Sequence, residues 1–226
     1  MKFLITNAIR WPIGCLIFFM AGCNNAPQPG KLVVTKNDSL QNEARIHRAI
    51  TAASKLAVEV KSGDIITRTG NDFTSQSLRK LCQRDQTYSH CGIASIENDS
   101  LFVYHAMGGE WNPDEKLRRD YFPLFAEPYS NNGLGIYRFS LPDSTMKAIV
   151  KNAQSYYLGG LSFDMKFDLK TDSSMYCAEF VYKVIRQAGR GQIAFHHSRI
   201  GDFEFIGPDD IFLHELCKKR AQIIYN

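Results

Sequence analysis

At 226 residues the chain has room for one well-filled core and too little length for two large domains without a visible linker. Its 44% hydrophobic and 22% charged residues exclude disorder, collagen-like repeats and a polytopic membrane protein. The formal charge is +4; without Lys2 and Arg10 in the leader, 25 Lys+Arg face 23 Asp+Glu, a balance that gives no reason to expect a nucleic-acid partner.

The chain opens MKFLITNAIRWPIGCLIFFMAGC, with Lys2 and Arg10 before an apolar stretch, Trp11 to Met20, of signal-peptide rather than membrane-spanning length. Met20-Ala21-Gly22-Cys23 places small residues directly before a cysteine and resembles the lipobox of a bacterial lipoprotein. That resemblance implies a signal peptide over residues 1–22, lipidation of Cys23, and attachment to a bacterial membrane of the cell envelope, facing the periplasm or the surface. Residues 24–40 read as a flexible tether behind Cys23, and 41–226 as the folded domain. Outside the cytosol thiols tend to oxidise, yet Cys82, Cys91, Cys177 and Cys217 are too few for a disulfide framework. None shows C-x-x-C spacing, so no structural zinc site is expected; the reading calls for no other metal and no cofactor.

Residues 41–60 carry Ile46, Ile50, Ala53, Leu56 and Ala57 at helical spacing. Ile65–Arg68 is a β-branched run that reads as a strand, and 73–83 as a second helix. The apolar runs 88–96 and 101–106 flank Glu97-Asn98-Asp99-Ser100, a hairpin signal. Residues 107–132, rich in Gly, Pro and charge, read as a surface excursion, and 135–139 as a third strand. Pro142-Asp143 opens a helix stopped by Gly159-Gly160, and a last helix runs from about Ser174 to Ala188, ending at Gly189. The tail mixes a polar loop with a short closing element near 211–216. The sum is an α+β domain, a small antiparallel sheet or partial barrel packed against helices.

Cys177 falls in the first turn of the last helix, with Val181, Val184 and Ala188 on its face. Free amides and partial positive charge at a helix N-terminus favour thiolate, the nucleophilic form. By itself, a cysteine there is more often a small buried residue. In the hairpin, a two-residue turn at Asn98-Asp99 sets Ile96 opposite Leu101 and Ala94 opposite Val103, so that Gly92 faces His105. His90 and His105 then share a face as diagonal neighbours within side-chain reach. A one-residue slip would separate them. Such a pair suits a general base and the group that orients it; it also suits two partly exposed strand histidines, or half of a metal site lacking its third ligand.

In order along the chain come Gly63-Asp64-Ile65-Ile66, Tyr88-Ser89-His90-Cys91-Gly92-Ile93, Tyr157-Leu158-Gly159 with Phe163-Asp164 and Phe167, and Tyr176-Cys177-Ala178-Glu179-Phe180-Val181. This text, over about residues 61–188, resembles the circularly permuted papain-like amidases, the YiiX/YaeF-type branch of the NlpC/P60 superfamily. The resemblance implies a permuted papain-like fold and an acyl-enzyme mechanism, with Cys177 as nucleophile, His90 as general base and His105 in the third polar position, often acidic in this branch. It also implies an oxyanion hole resting on the Cys177 backbone amide, with Tyr88 as a candidate donor, because Phe163 stands where the superfamily often has a tyrosine.

The remaining polar residues read as structural. His196-His197 lie in a polar loop, and His47 and His214 lack partners at ligand spacing. Cys91 reads as core or as a disulfide partner of Cys82, Glu179 as a structural contact, and Asp64 and Asp164 as turn or cap residues. Lys116/Arg118/Arg119 and Lys218/Lys219/Arg220 read as solvated faces. The expected function is a cell-envelope thiol hydrolase cleaving an amide, in a peptidoglycan stem peptide or another peptide-like or N-acyl compound, anchored to the membrane at Cys23. Two alternatives stand beside it: a lipid acyltransferase or thiol lipase using the same residues, and a non-catalytic ligand-binding lipoprotein.

Overall fold

The computed structural model describes residues 36–109 and 112–225. The expected signal peptide and the expected lipidation site at Cys23 lie outside them. Among the described residues no helix is long and apolar enough to cross a membrane.

The domain is a six-stranded, wholly antiparallel sheet with helices on both faces. In chain order the elements are α1 (Lys36–Ala57), β1 (Ile65–Gly70), α2 (Phe73–Leu81), β2 (His90–Glu97), β3 (Ser100–His105), β4 (Arg118–Tyr121), α3 (Phe122–Phe125), β5 (Asn131–Phe139), α4 (Asp143–Leu158), α5 (Cys177–Ala188), β6 (Ser198–Ile200), β7 (Phe203–Phe205), α6 (Pro208–Phe212) and β8 (Cys217–Ile224). The sheet order is β4-β3-β2-β1-β5-β8, and β6-β7 form a separate hairpin. Strand alternation feeds two cores. Ile65, Cys91, Ile93, Tyr104, Tyr137 and Phe139 pack against Ile149 and Ala153 of α4 and the buried flank of α5. Ile66, Ala94, Val103, Leu134 and Ile136 meet Ala49, Ala53 and Leu56 of α1 together with Phe122 and Phe125 of α3. Inward and outward residues thus alternate along each central strand, as a sheet covered on both sides requires.

The β2–β3 hairpin has the expected register: Ile96 pairs with Leu101 and Ala94 with Val103. Asn98 and Asp99 take φ of 48° and 61°, the two positive values that match a tight turn to the twist of the strands. Gly92 is required by its neighbour strand. A Cβ there would lie 2.7 Å from the Tyr104 carbonyl oxygen and 2.9 Å from the His105 Cβ.

Four expectations are corrected. Helix α1 begins at Lys36 rather than 41, so 36–40 are exposed helix and not tether; within it Ile50 is 47% exposed, and Ala49 takes the inward place. The stretch 107–132 is not a surface excursion. It contains β4 and α3, and Leu117, Phe122, Phe125 and Ala126 are buried. The tail ends in β8, which pairs with β5 and closes the sheet edge. Its Lys218-Lys219-Arg220 run is exposed, as suits an edge strand guarded by charge.

Candidate active site

Cys177 is the first residue of α5. Tyr176, extended at φ −85° and ψ 175°, caps the helix, and Glu179 Oε2 accepts the Tyr176 backbone N–H at 3.2 Å. The approach to Cys177 is tied to the rest of the fold by backbone. Leu117 N–H donates to Leu161, Phe163 N–H to Glu115 and Met175 N–H to Ser162, so 115–117, 161–163 and 174–175 run side by side just before β4. This seam brings the start of α5 to the end of the sheet where β2 begins and β3 finishes.

At that end the β2–β3 ladder stops at Ile93–Tyr104, although the same register would carry it on to Cys91 and residue 106. The freed Cys91 edge is used by Cys177. The Cys91 thiol is the strongest influence on the Cys177 sulfur and lowers its pKa. Burial pulls the other way, and the backbone N–H groups of Cys91 and Ala178, with the charge of Arg68, add to the lowering. The same contact, followed by burial, drives the Cys91 thiol well above its ordinary value. Burial likewise raises Cys217 to about 12, and it raises Cys82, where Asp209 adds to the effect. Of the four described cysteines only Cys177 is shifted toward thiolate. All four are free thiols.

One residue before Cys91 on β2, His90 begins a chain of three groups. His90 Nε2 lies 2.9 Å from His105 Nδ1, with the rings at 87° to each other. His105 Nε2 lies 3.0 Å from Asp120 Oδ2. Arg118 donates to Asp120 Oδ1 from Nε at 3.2 Å and from Nη2 at 3.1 Å. Phe125 forms the floor, its centroid 5.0 Å from the His105 ring and 5.9 Å from His90. Burial, with Arg68 next in weight, keeps His90 well below the usual imidazole range. Burial also lowers His105 to about 4, outweighing the pull of Asp120. Asp120 stays below its usual value, since bonds from His105 and Arg118 overcome its partial burial.

Proton positions follow from these partners. An ionised Asp120 accepts, so neutral His105 carries its proton on Nε2. His105 Nδ1 therefore accepts, His90 donates from Nε2, and the His90 Nδ1 lone pair is left free. A neutral imidazole with a free, oriented nitrogen is what a general base requires. No hydrogen bond joins His90 to Cys177 among the described residues; in catalytic sites such bonds commonly tighten only with substrate in place.

The structure thus joins His90 to His105, and Cys177 to Cys91. Sequence reasoning misses Asp120, because it lies beside Arg118 and Arg119 in a stretch, 107–132, that reads as surface; the alternation around a short strand is the available signal. Arg118 and Arg119 are not simply solvated. Arg118 holds Asp120, while Arg119 pairs with Glu97 at 2.6 Å and lies 3.4 Å over the Phe102 ring. Tyr88 is placed away from an oxyanion role. It is 1% exposed, wedged edge-on against Tyr137 and Phe212, and its hydroxyl accepts from Tyr137 at 3.4 Å. The Cys177 amide, at the first position of α5, is among those with no acceptor inside the helix. Phe163 packs over Gly108, where a Cβ would come within 2.6 Å of its ring.

The other singled-out residues serve structure. Asp64 accepts the Lys61 N–H and a two-pronged bond from Arg138 at 2.6 and 2.7 Å. Asp164 accepts the N–H groups of Lys166 and Asp168. Glu179 is fully buried, pushed by burial to about 7, and paired with Lys183 at 2.9 Å. His196 binds Asp210, His197 binds Glu204, and His214 Nε2 donates to the Ala194 carbonyl.

No family model and no curated protein matches the chain. Among solved structures the fold is similar to that of the metalloprotein yiiX from Escherichia coli O157:H7, a DUF1105 protein. The two share 17% identity at a TM-score of 0.60, over 74% of this chain and 99% of that one. Among the described residues no three or more His, Cys, Asp or Glu side chains are grouped to hold a metal ion, so the description of that neighbour finds no counterpart donor set here. The likeness shows the fold: a mixed α+β domain in which a six-stranded antiparallel sheet packs against helices.

Proposed function

We propose that the protein is a cysteine hydrolase of the cell envelope, acting on an amide through an acyl-enzyme on Cys177 and tethered to a membrane through a lipid on Cys23. Two observations carry this reading: a thiolate-favouring cysteine at a helix start against Cys91, and, starting from the neighbouring His90, a histidine relay that leaves one basic nitrogen free among the described residues. In the first half-reaction the Cys177 proton passes to His90 Nδ1, the sulfur attacks the carbonyl carbon, and the C=O electron pair moves onto oxygen. The Cys177 backbone amide is the donor that meets this oxyanion. Collapse breaks the C–N bond, with His90 returning its proton to the leaving nitrogen. Water then attacks the thioester as His90 takes its proton, releasing the acid and the free thiol. His105 holds the His90 ring and tautomer, and Asp120 holds His105.

The resemblance favours a peptide-like or N-acyl amide, with peptidoglycan stems as the first class to try. The test is a chloroacetamide probe on the full chain, followed by mass mapping and by a panel of stem peptides and N-acyl amides. Labelling concentrated on Cys177, and release of a free amine that needs Cys177, support the reading. Acyl transfer to an added amine in preference to water would convert it to the acyltransferase alternative. Labelling of Cys82, Cys91 or Cys217 instead would end it.

A further inference from the structure

Arg68 lies on β1 directly across from His90 on β2, so the two share one face of the sheet. Its guanidinium sits 4.6 Å from the Phe125 centroid, over the same ring that floors both histidines. A guanidinium offers five N–H donors, and its best partner is a carboxylate gripped by two parallel bonds. Arg68 has none. Its Nη1 donates to the Phe125 carbonyl at 3.1 Å, and its Nη2 to the thioether sulfur of Met107 at 3.0 Å. Thioether sulfur is a weak acceptor.

Arg68 forms no ion pair among the described residues. The two carboxylates that act on it from nearby are engaged elsewhere. Asp120 is held by His105 and Arg118, and Glu127 accepts the N–H groups of Tyr129 and Ser130. A half-buried cation whose charge reaches the nucleophile, and whose outer nitrogen rests on a flexible, 37% exposed methionine, is a donor set awaiting an anion.

We propose that Arg68 is the carboxylate-binding residue of this site, so that the substrate carries a carboxylate close to the bond attacked, with Met107 giving way as the carboxylate arrives. The inference rests on the reading of Cys177 as nucleophile, and the experiment separates the two. Iodoacetate and iodoacetamide deliver the same carbon to a thiol and differ in carrying a carboxylate or its neutral amide. The rate of each at Cys177 is measured on the full chain by mass mapping, and their ratio is divided by that for free cysteine. The expected result is a preference for iodoacetate of roughly tenfold, the scale of a charge-assisted bond. That preference should fall to the free-thiol ratio in Arg68→Gln and partly persist in Arg68→Lys. No preference, or one unchanged in Arg68→Gln, overturns the proposal. Equal slowing of both reagents in Arg68→Gln also overturns it, since it would mark an electrostatic effect on the thiolate alone.

Should Cys177 resist both reagents, the nucleophile reading fails and the proposal is read directly. Labelled Cys177→Ala protein is titrated with acetate and with acetamide while the His90 ring signals are followed. Saturable shifts with acetate alone, lost on adding Arg68→Gln, support it; no acetate-specific shift overturns it. If Arg68→Gln does not fold, by circular dichroism, the Arg68→Lys protein serves in both arms, and a full wild-type response there overturns the proposal.

Discussion

Two histidine–carboxylate pairs in this molecule have nearly the same local geometry and different prospects. His105 and Asp120 meet at 3.0 Å, His196 and Asp210 at 2.7 Å. In the first pair the histidine is fully buried and its other nitrogen holds His90. In the second the His196 side chain is 52% exposed, no hydrogen bond among the described residues uses its other nitrogen, and the buried partner is the acid. Asp210 spends its second oxygen on the Ser198 hydroxyl and the Gly207 N–H, pinning the β6–β7 hairpin to the start of α6. A histidine–acid contact therefore means little by itself. What distinguishes a catalytic arrangement is where the far nitrogen leads.

Substitutions can break this contrast from either side. The largest effect is expected for Cys177→Ala, which should remove turnover by roughly 10⁴-fold or more while the protein still folds. Amine release and thermal unfolding, measured together, test it. Asp120→Asn comes next. Where an acid bonds the base directly, the same change costs about 10⁴ in kcat; here His105 stands between them, so a loss on the order of 10- to 100-fold is expected, seen in kcat rather than KM.

The third test is of stability against pH. His105 binds its proton at about 4 when folded and near 6.5 when unfolded. Between those values the unfolded chain holds the extra proton, so this group's contribution is complete above about pH 6.5 and is lost as the pH falls toward 4. Glu179, raised to about 7, slopes the opposite way in the same range, so the difference between wild type and His105→Gln is the quantity to follow. Urea midpoints should show the His105→Gln protein losing less on acidification, by at most a few kcal/mol.

Asp210→Asn should cost about 1–3 kcal/mol of stability through its buried bonds and leave kcat unchanged. His196→Ala should cost less than about 0.5 kcal/mol, as expected for an exposed side chain. A loss of turnover in either would erase the contrast drawn between the two pairs.

Much of this site was legible in sequence because its parts obey local rules. The turn residues at 98 and 99 and the alternation on either side dictate that His90 and His105 share a face. Asp172 to Ser174 signal a helix start near Cys177. Asp120 and Arg68 escaped for different reasons. The arginines flanking Asp120 made a four-residue strand look like surface, and nothing within 107–132 signals that Phe122 and Phe125 must be buried under the histidines. Arg68 ends the expected strand, which the structure carries on to Gly70, but its worth depends on what its guanidinium does not meet, and that is a three-dimensional fact. Edge strand β8 was hidden by its own charge, since lysines that protect a sheet edge also mask the alternation.

The tight turn at Asn98 and Asp99 acts at a distance. Six residues of extended chain, about 20 Å at ~3.4 Å each, separate Asp99 from His105. One residue added to that turn would carry His105 to the opposite face without touching any atom near the thiol. The hairpin works as a ruler whose zero mark is the turn and whose reading is the histidine relay. Its length is held to strict tolerance.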